Sequence, residues 1–126
     1  MARILVIDDE NLVRLTIQAV LSAKGHAVSL AVNGRDGLDR LKKTEFDLII
    51  TDLIMPEMEG LETIMAIRKQ SRQARILAIS GGGRNQVGDF LDAAGKLGAD
   101  VTLRKPFSND ELVDAVVRAM AGRPAG

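Results

Sequence analysis

Short apolar runs alternate along this chain with segments whose apolar residues recur every three or four positions. Runs rich in Ile, Val and Leu predict β-strands at residues 3–7, 27–31, 47–51, 76–80 and 101–104. Between them, Val13, Ile17, Val20 and Leu21 keep helical spacing, as do Leu61, Ile64, Met65 and Arg68, the last through its aliphatic stem. Val87, Phe90, Leu91, Ala94 and Leu97 repeat the pattern, and Leu112, Val113, Val116, Val117 and Met120 close it. The second helix, around residues 34–43, has the faintest signal, anchored by Leu38 and Leu41. Strands that alternate with helices imply right-handed crossovers and a parallel sheet covered on both faces. Gly25, Gly60 and Gly98 fall at element boundaries, and Ser108 followed by Asp110-Glu111 suits the start of the last helix.

Composition narrows the class. A chain of 126 residues has the size of one domain with a real core. That domain is expected over residues 1–121, with 122–126 as a frayed tail or linker stub. Lys plus Arg number 17 and Asp plus Glu number 17, so no net charge draws the chain to nucleic acid or an anionic membrane. The absence of cysteine excludes disulfides and thiolate chemistry. No apolar stretch approaches the roughly 18 residues that span a bilayer, so a cytoplasmic location is the expectation. Three Phe, with no Trp or Tyr, leave no stacking platform for single-stranded nucleic acid.

The candidate chemistry sits where strands end. Asp8-Asp9 follow the first strand, Asp52 the third, and Lys105-Pro106 the fifth. In an open parallel sheet the carboxyl ends of the strands share one edge, and ligands bind there. Three carboxylates and one ammonium would therefore meet in a pocket suited to a divalent cation and a phosphoryl group. Magnesium takes oxygen ligands, typically one or two carboxylates plus phosphate oxygens. That preference assigns Asp9 and Asp52 as direct ligands, Asp8 partly through water, and the backbone carbonyl of Ile54 as a further donor. The plainer alternative for Asp9 is a helix cap ahead of Asn11. Lys105 supplies a point charge for carboxylate or phosphate oxygens, and its peptide bond to Pro106 is a candidate for a fixed geometry in a tight turn, cis included. Ser80, ending the fourth strand, adds a small hydroxyl donor at the same edge.

These residues carry a family resemblance. Asp8-Asp9, Asp52 within Thr51-Asp52-Leu53-Ile54-Met55-Pro56-Glu57-Met58-Glu59-Gly60, Ser80, and Lys105-Pro106-Phe107 resemble the signature of a response-regulator receiver domain, the phosphoacceptor module of two-component signalling. The likeness covers essentially the whole chain. It implies a flavodoxin-like, doubly wound sheet of five parallel strands in the order 2-1-3-4-5, with five helices. It further implies Asp52 as the nucleophile that accepts a phosphoryl group from a histidine kinase or histidine phosphotransfer protein, with Mg2+ as cofactor. Lys105, Ser80 and the Gly81 backbone would steady the phosphoryl oxygens. The implied output is a phosphorylation-controlled contact with a target protein or output domain, or a phosphorylation-dependent homodimer. The face of the fourth helix, fifth strand and fifth helix is the implied partner surface. Such a domain catalyses its own phosphorylation and dephosphorylation without turning over an external substrate.

Five features depart from the common pattern or lie outside it. The position three before Lys105, usually aromatic and the reporter of phosphorylation, is Thr102, so the coupled Ser80–aromatic switch lacks its ring. Ser80 is followed by Gly81-Gly82-Gly83-Arg84, either a nest of backbone N–H groups or a mobile loop. Ile54 and Gly82, each two residues past a site residue, offer no group to orient an attacking water, which predicts slow intrinsic dephosphorylation. His26 reads as a turn residue, and Arg68, Lys69, Arg72 and Arg75 as a solvated basic face. Two rival readings are a docking or dimerisation module that works without phosphorylation, and a small-molecule phosphatase. The second usually needs another acid where this chain has Ile54.

Overall fold

The structure is a computed structural model that describes residues 1–53, 60–71, 73–81 and 94–121. The strands are β1 (Arg3–Ile7), β2 (Ala27–Ala31), β3 (Leu48–Asp52), β4 (Arg75–Ser80) and β5 (Val101–Arg104). They form one parallel sheet in the order β2-β1-β3-β4-β5. Helices are α1 (Asn11–Ala23), α2 (Gly34–Lys43), α3 (Gly60–Gln70), a helical turn α4 at residues 94–97, and α5 (Asn109–Ala121). This is the parallel sheet covered on both faces that the alternating pattern predicts, in the strand order that the family resemblance implies. The expected helical residues Val87, Phe90 and Leu91, and the tail at 122–126, lie outside the described residues.

Two-residue periodicity divides the core. Ile4, Val6, Leu48, Ile50, Leu77, Ile79 and Leu103 pack with α1 and α5 through Ile17, Leu21, Leu112 and Val116. Leu5, Ile7, Ile49, Ile76 and Ala78 pack on the opposite face with Ile64, Ile67 and Ala94. Burial on both faces explains why β1, β3 and β4 read as unbroken apolar runs.

Local chemistry fixes the element ends. Asn33 accepts the Asp36 N–H at 2.8 Å and caps α2. That helix is faint in sequence because part of its buried face is glycine: a Cβ on Gly37 would lie 2.4 Å from Cδ1 of Ile7. At α5, Ser108 Oγ accepts the Glu111 N–H and Glu111 Oε1 accepts the Ser108 N–H, both at 3.0 Å, a reciprocal capping box. His26 is a turn residue, its Nδ1 accepting the Ala2 N–H at 3.1 Å.

Three expectations need correction. Strand β3 runs one residue later than predicted and includes Asp52, because Asp47 instead turns its carboxylate to the Arg3 N–H at 2.8 Å. Met65 and Val117, in phase with their helices, are 53% and 59% exposed and lie at the edge of the apolar stripe. Arg68 is not part of a solvated face. Its guanidinium reaches the carbonyls of Gly98 (2.7 Å) and Ala74 and the carboxylate of Asp100 (3.0 Å), tying α3 to the start of β4 and the turn before β5. Arg75 is half-buried, with an Nε enclosed by protein, while Arg72 lies outside the described residues.

Candidate functional site

Sheet register brings the acids together. Ile7 pairs with Thr51, so Asp8 and Asp52 leave adjacent parallel strands side by side. Both share the alternation of Val6 and Ile50, and Lys105 shares that of Leu103, so all three side chains emerge toward the α1/α5 side. Lys105 Nζ lies 3.0 Å from Asp52 Oδ2, 3.2 Å from Asp8 Oδ2 and 3.4 Å from Glu10 Oε1. Asp8 is 1% exposed and Asp52 4%, whereas Asp9 and Glu10 are exposed.

One ligand atom from each of Asp8, Asp9, Glu10 and Asp52 can be chosen so that all lie within 4.8 Å of one another. An all-carboxylate donor set suits a hard cation such as Mg2+, and the residues present fit it. Ile54 and its backbone carbonyl lie outside the described residues, as does Gly82.

The rest of the pocket is assembled from β4 and β5. Ser80 Oγ is buried and has no hydrogen-bond partner among the described residues, an orphaned donor at the strand end. Such a group costs stability and calls for a ligand or a function. The Lys105 N–H donates to the Ser80 carbonyl at 2.8 Å, which locks the two chain segments in register. A Cβ on Gly81 would lie 2.3 Å from the Lys105 Cβ, so only glycine admits that approach. The Lys105–Pro106 peptide is cis. Thr102 is half-buried and, one step out of phase with Leu103, belongs to the opposite face of the sheet.

The charges perturb one another. Loss of hydration, reinforced by the Asp52 carboxylate, pushes Asp8 up from an ordinary 3.8 to about 6, although the Glu10 N–H and the Lys105 ammonium oppose the shift. For Lys105, burial disfavours the ammonium, but Asp52 and Asp8 outweigh it and hold the group above the usual lysine value. Folded Asp8 thus keeps a proton that the unfolded chain has already released, and its contribution to stability falls as pH rises from about 4 to about 6. The Lys105 contribution has the opposite pH placement: it is full below 10.5 and is lost only in strong alkali. Urea unfolding of metal-free protein between pH 4 and pH 8 is expected to show an excess loss of roughly 2–3 kcal/mol relative to Asp8→Asn. Parallel curves for the two proteins would refute the assignment.

Two members of the site escape a motif reading. Glu10 joins the acid cluster through Lys105. Arg14, 8% exposed on α1, donates to the Asp8 carbonyl at 2.6 Å and to Asn11 Oδ1. Its signal was available: Arg14 sits in phase with Ile17 and Leu21, a charge in a core position.

A five-stranded doubly wound sheet with acids and a lysine at its carboxyl edge is the arrangement expected of a receiver domain. The chain belongs to the response regulator receiver domain family, whose profile matches residues 4–117, and is a receiver domain of two-component systems. It is 37% identical over 123 residues to the transcriptional regulatory protein PcoR of Escherichia coli, covering 98% of this chain and 53% of that protein. With DltR of Streptococcus agalactiae it shares 34% identity over 111 residues, covering 88% of this chain and 48% of that one. The chain thus spans about half the length of these curated relatives. The structure is similar to chemotaxis protein CheY4 of Vibrio cholerae, with TM-score 0.84 and 30% identity, covering 94% of this chain and 98% of that one. It is also similar to the Thermotoga maritima response regulator TrrA in complex with Mg(2+)-BeF, with TM-score 0.81 and 32% identity, covering 94% and 99%. Among the described residues, no helix is long and apolar enough to cross a membrane.

Proposed function

We propose that Asp52 accepts a phosphoryl group from a phosphohistidine of a histidine kinase or phosphotransfer protein, and that the resulting acyl phosphate controls contact with a target protein or output domain. The observation that carries this reading is the buried Asp52 carboxylate held beside Asp8 and Lys105, with a buried Ser80 hydroxyl, unpartnered among the described residues, at the end of the neighbouring strand β4. A carboxylate oxygen of Asp52 attacks phosphorus, the P–N bond breaks, and its electron pair returns to the imidazole ring. Lys105 and Ser80 donate to the phosphoryl oxygens as charge develops on them. Asp8, Asp9 and Asp52 would hold Mg2+, which when bound offsets the charge of phosphoryl oxygens and carboxylates. The TrrA neighbour, solved with Mg(2+)-BeF, supports that choice of ion. An apolar cleft of about 440 Å³ beside the site, lined by Leu12, Val13, Ile17, Pro106 and Phe107, offers the donor protein a place to approach.

The domain acts on itself, as phosphoacceptor and in hydrolysing its own aspartyl phosphate, and is no turnover enzyme. Incubation with a small phosphodonor and Mg2+ is expected to add one phosphoryl mass to the wild type and none to Asp52→Asn. An unlabelled wild type would instead favour docking without phosphorylation. Ser80→Ala separates stability from chemistry. Removing a hydroxyl that is buried without a partner is expected to leave the unphosphorylated fold unchanged or up to about 1 kcal/mol more stable. Labelling by the same donor should slow markedly. Equal labelling rates for Ser80→Ala and wild type would remove Ser80 from the site.

A further inference from the structure

Arg14 plays no part in the chemistry just described, yet it is 8% exposed, and its guanidinium is the one charged group on the buried stripe of α1. Burying an arginine costs free energy that an apolar residue of similar volume would not. Its two-pronged contact shows what the cost serves. One prong donates to the Asp8 carbonyl at 2.6 Å, where β1 ends, and the other to Asn11 Oδ1, where α1 begins. The β1–α1 turn is thereby closed across its mouth. Asp8 is held further by its N–H on the Ala31 carbonyl at 3.2 Å and by its Oδ1 on the Glu10 N–H at 2.9 Å. Between those fixed ends lie Asp9 and Glu10, two exposed members of the acid cluster.

We propose that Arg14 is a positioning residue for the cation site: its fork sets the turn that aims the Asp8, Asp9 and Glu10 carboxylates, and so sets divalent-ion affinity before any phosphoryl group arrives. This inference rests on the reading of the acid cluster as a Mg2+ site. A packing role alone predicts a loss of stability with ion binding intact. A positioning role predicts weaker ion binding that exceeds any effect of stability.

The test is titration calorimetry of the whole chain with Mg2+ and with Mn2+, since a protein without Trp or Tyr has no indole or phenol emission to follow. Arg14→Met keeps the stem and removes the fork, and is expected to bind either ion about 10- to 100-fold more weakly, the usual size of an effect on groups that orient ligands. Arg14→Lys, which keeps the charge without the fork, should recover part of that loss, and it carries the test if Arg14→Met fails to fold. Labelling of Asp52 at saturating Mg2+ should return toward the wild-type rate in both. Arg68→Met is the matched control, a partly buried arginine that also grips carbonyls, at the opposite end of the sheet. It should unfold more readily and bind the ion as the wild type does. Equal affinity in Arg14→Met and wild type overturns the inference, as does equal weakening in Arg68→Met. A wild type that takes up neither ion overturns the reading beneath it, and the inference with it.

Discussion

Replacing Lys105 with methionine is expected to slow phosphoryl transfer to Asp52 by about 10²- to 10³-fold, the typical loss when one preorganised donor to a developing anion is removed. The same change strips the Lys105 ammonium from two carboxylates that are 1% and 4% exposed. Removing one member of a buried ion pair costs roughly 3–5 kcal/mol, less whatever protonation of Asp8 recovers. Stability and transfer should therefore separate with pH: the fold regains ground in mild acid, and the rate does not. Lys105→Arg should restore much of the stability and little of the rate, because a planar fork does not reproduce a compact ammonium. Single-turnover labelling and urea unfolding on the three proteins measure both. A Lys105→Met protein that labels at the wild-type rate would show that the ammonium only balances charge.

Gly81→Ala is the second large effect. An added Cβ would meet the Lys105 Cβ at 2.3 Å, and that atom is fixed by its own backbone, so the chain must part. The cost is expected at about 1–3 kcal/mol, as for other overpacked positions. Its particular consequence is loss of register between Ser80 and Lys105, whose 2.8 Å backbone hydrogen bond spans the clash. Ion binding through Asp8 and Asp9 should persist while labelling falls, since the displaced parts stabilise the phosphoryl group. Unfolding curves and labelling rates close to wild type would mean that the loop absorbs a methyl group freely.

How far the sequence carried depended on which physical signal each feature leaves in it. Strands buried on both faces leave continuous apolar runs, so β1, β3 and β4 were legible to within a residue. Helix α2 was faint because Gly34 and Gly37 form part of its buried face, and a glycine required by close approach to Ile7 carries no hydrophobic signal. Asp8, Asp52 and Lys105 could be grouped because parallel strands end on one edge, an inference about topology that needs no coordinates. The contacts of Arg68 and Arg14 are illegible in the sequence for the opposite reason. What a guanidinium does depends on carbonyls distant in sequence or hidden in a turn, such as Gly98 and Asp8, and composition gives no sign of them. The Ser80 hydroxyl shows a third case: its position was legible, but its lack of a partner among the described residues emerges only when the surrounding atoms are in place.

The most direct measurement is to locate the phosphoryl group. Borohydride reduction converts an aspartyl phosphate to homoserine, and peptide sequencing by mass spectrometry then reads its place in the chain. Labelled protein should carry homoserine at position 52 alone, in an amount that tracks the phosphoryl mass before reduction. Homoserine at position 8 or 9, or a label that survives on a serine, would contradict the assignment of Asp52 as the acceptor.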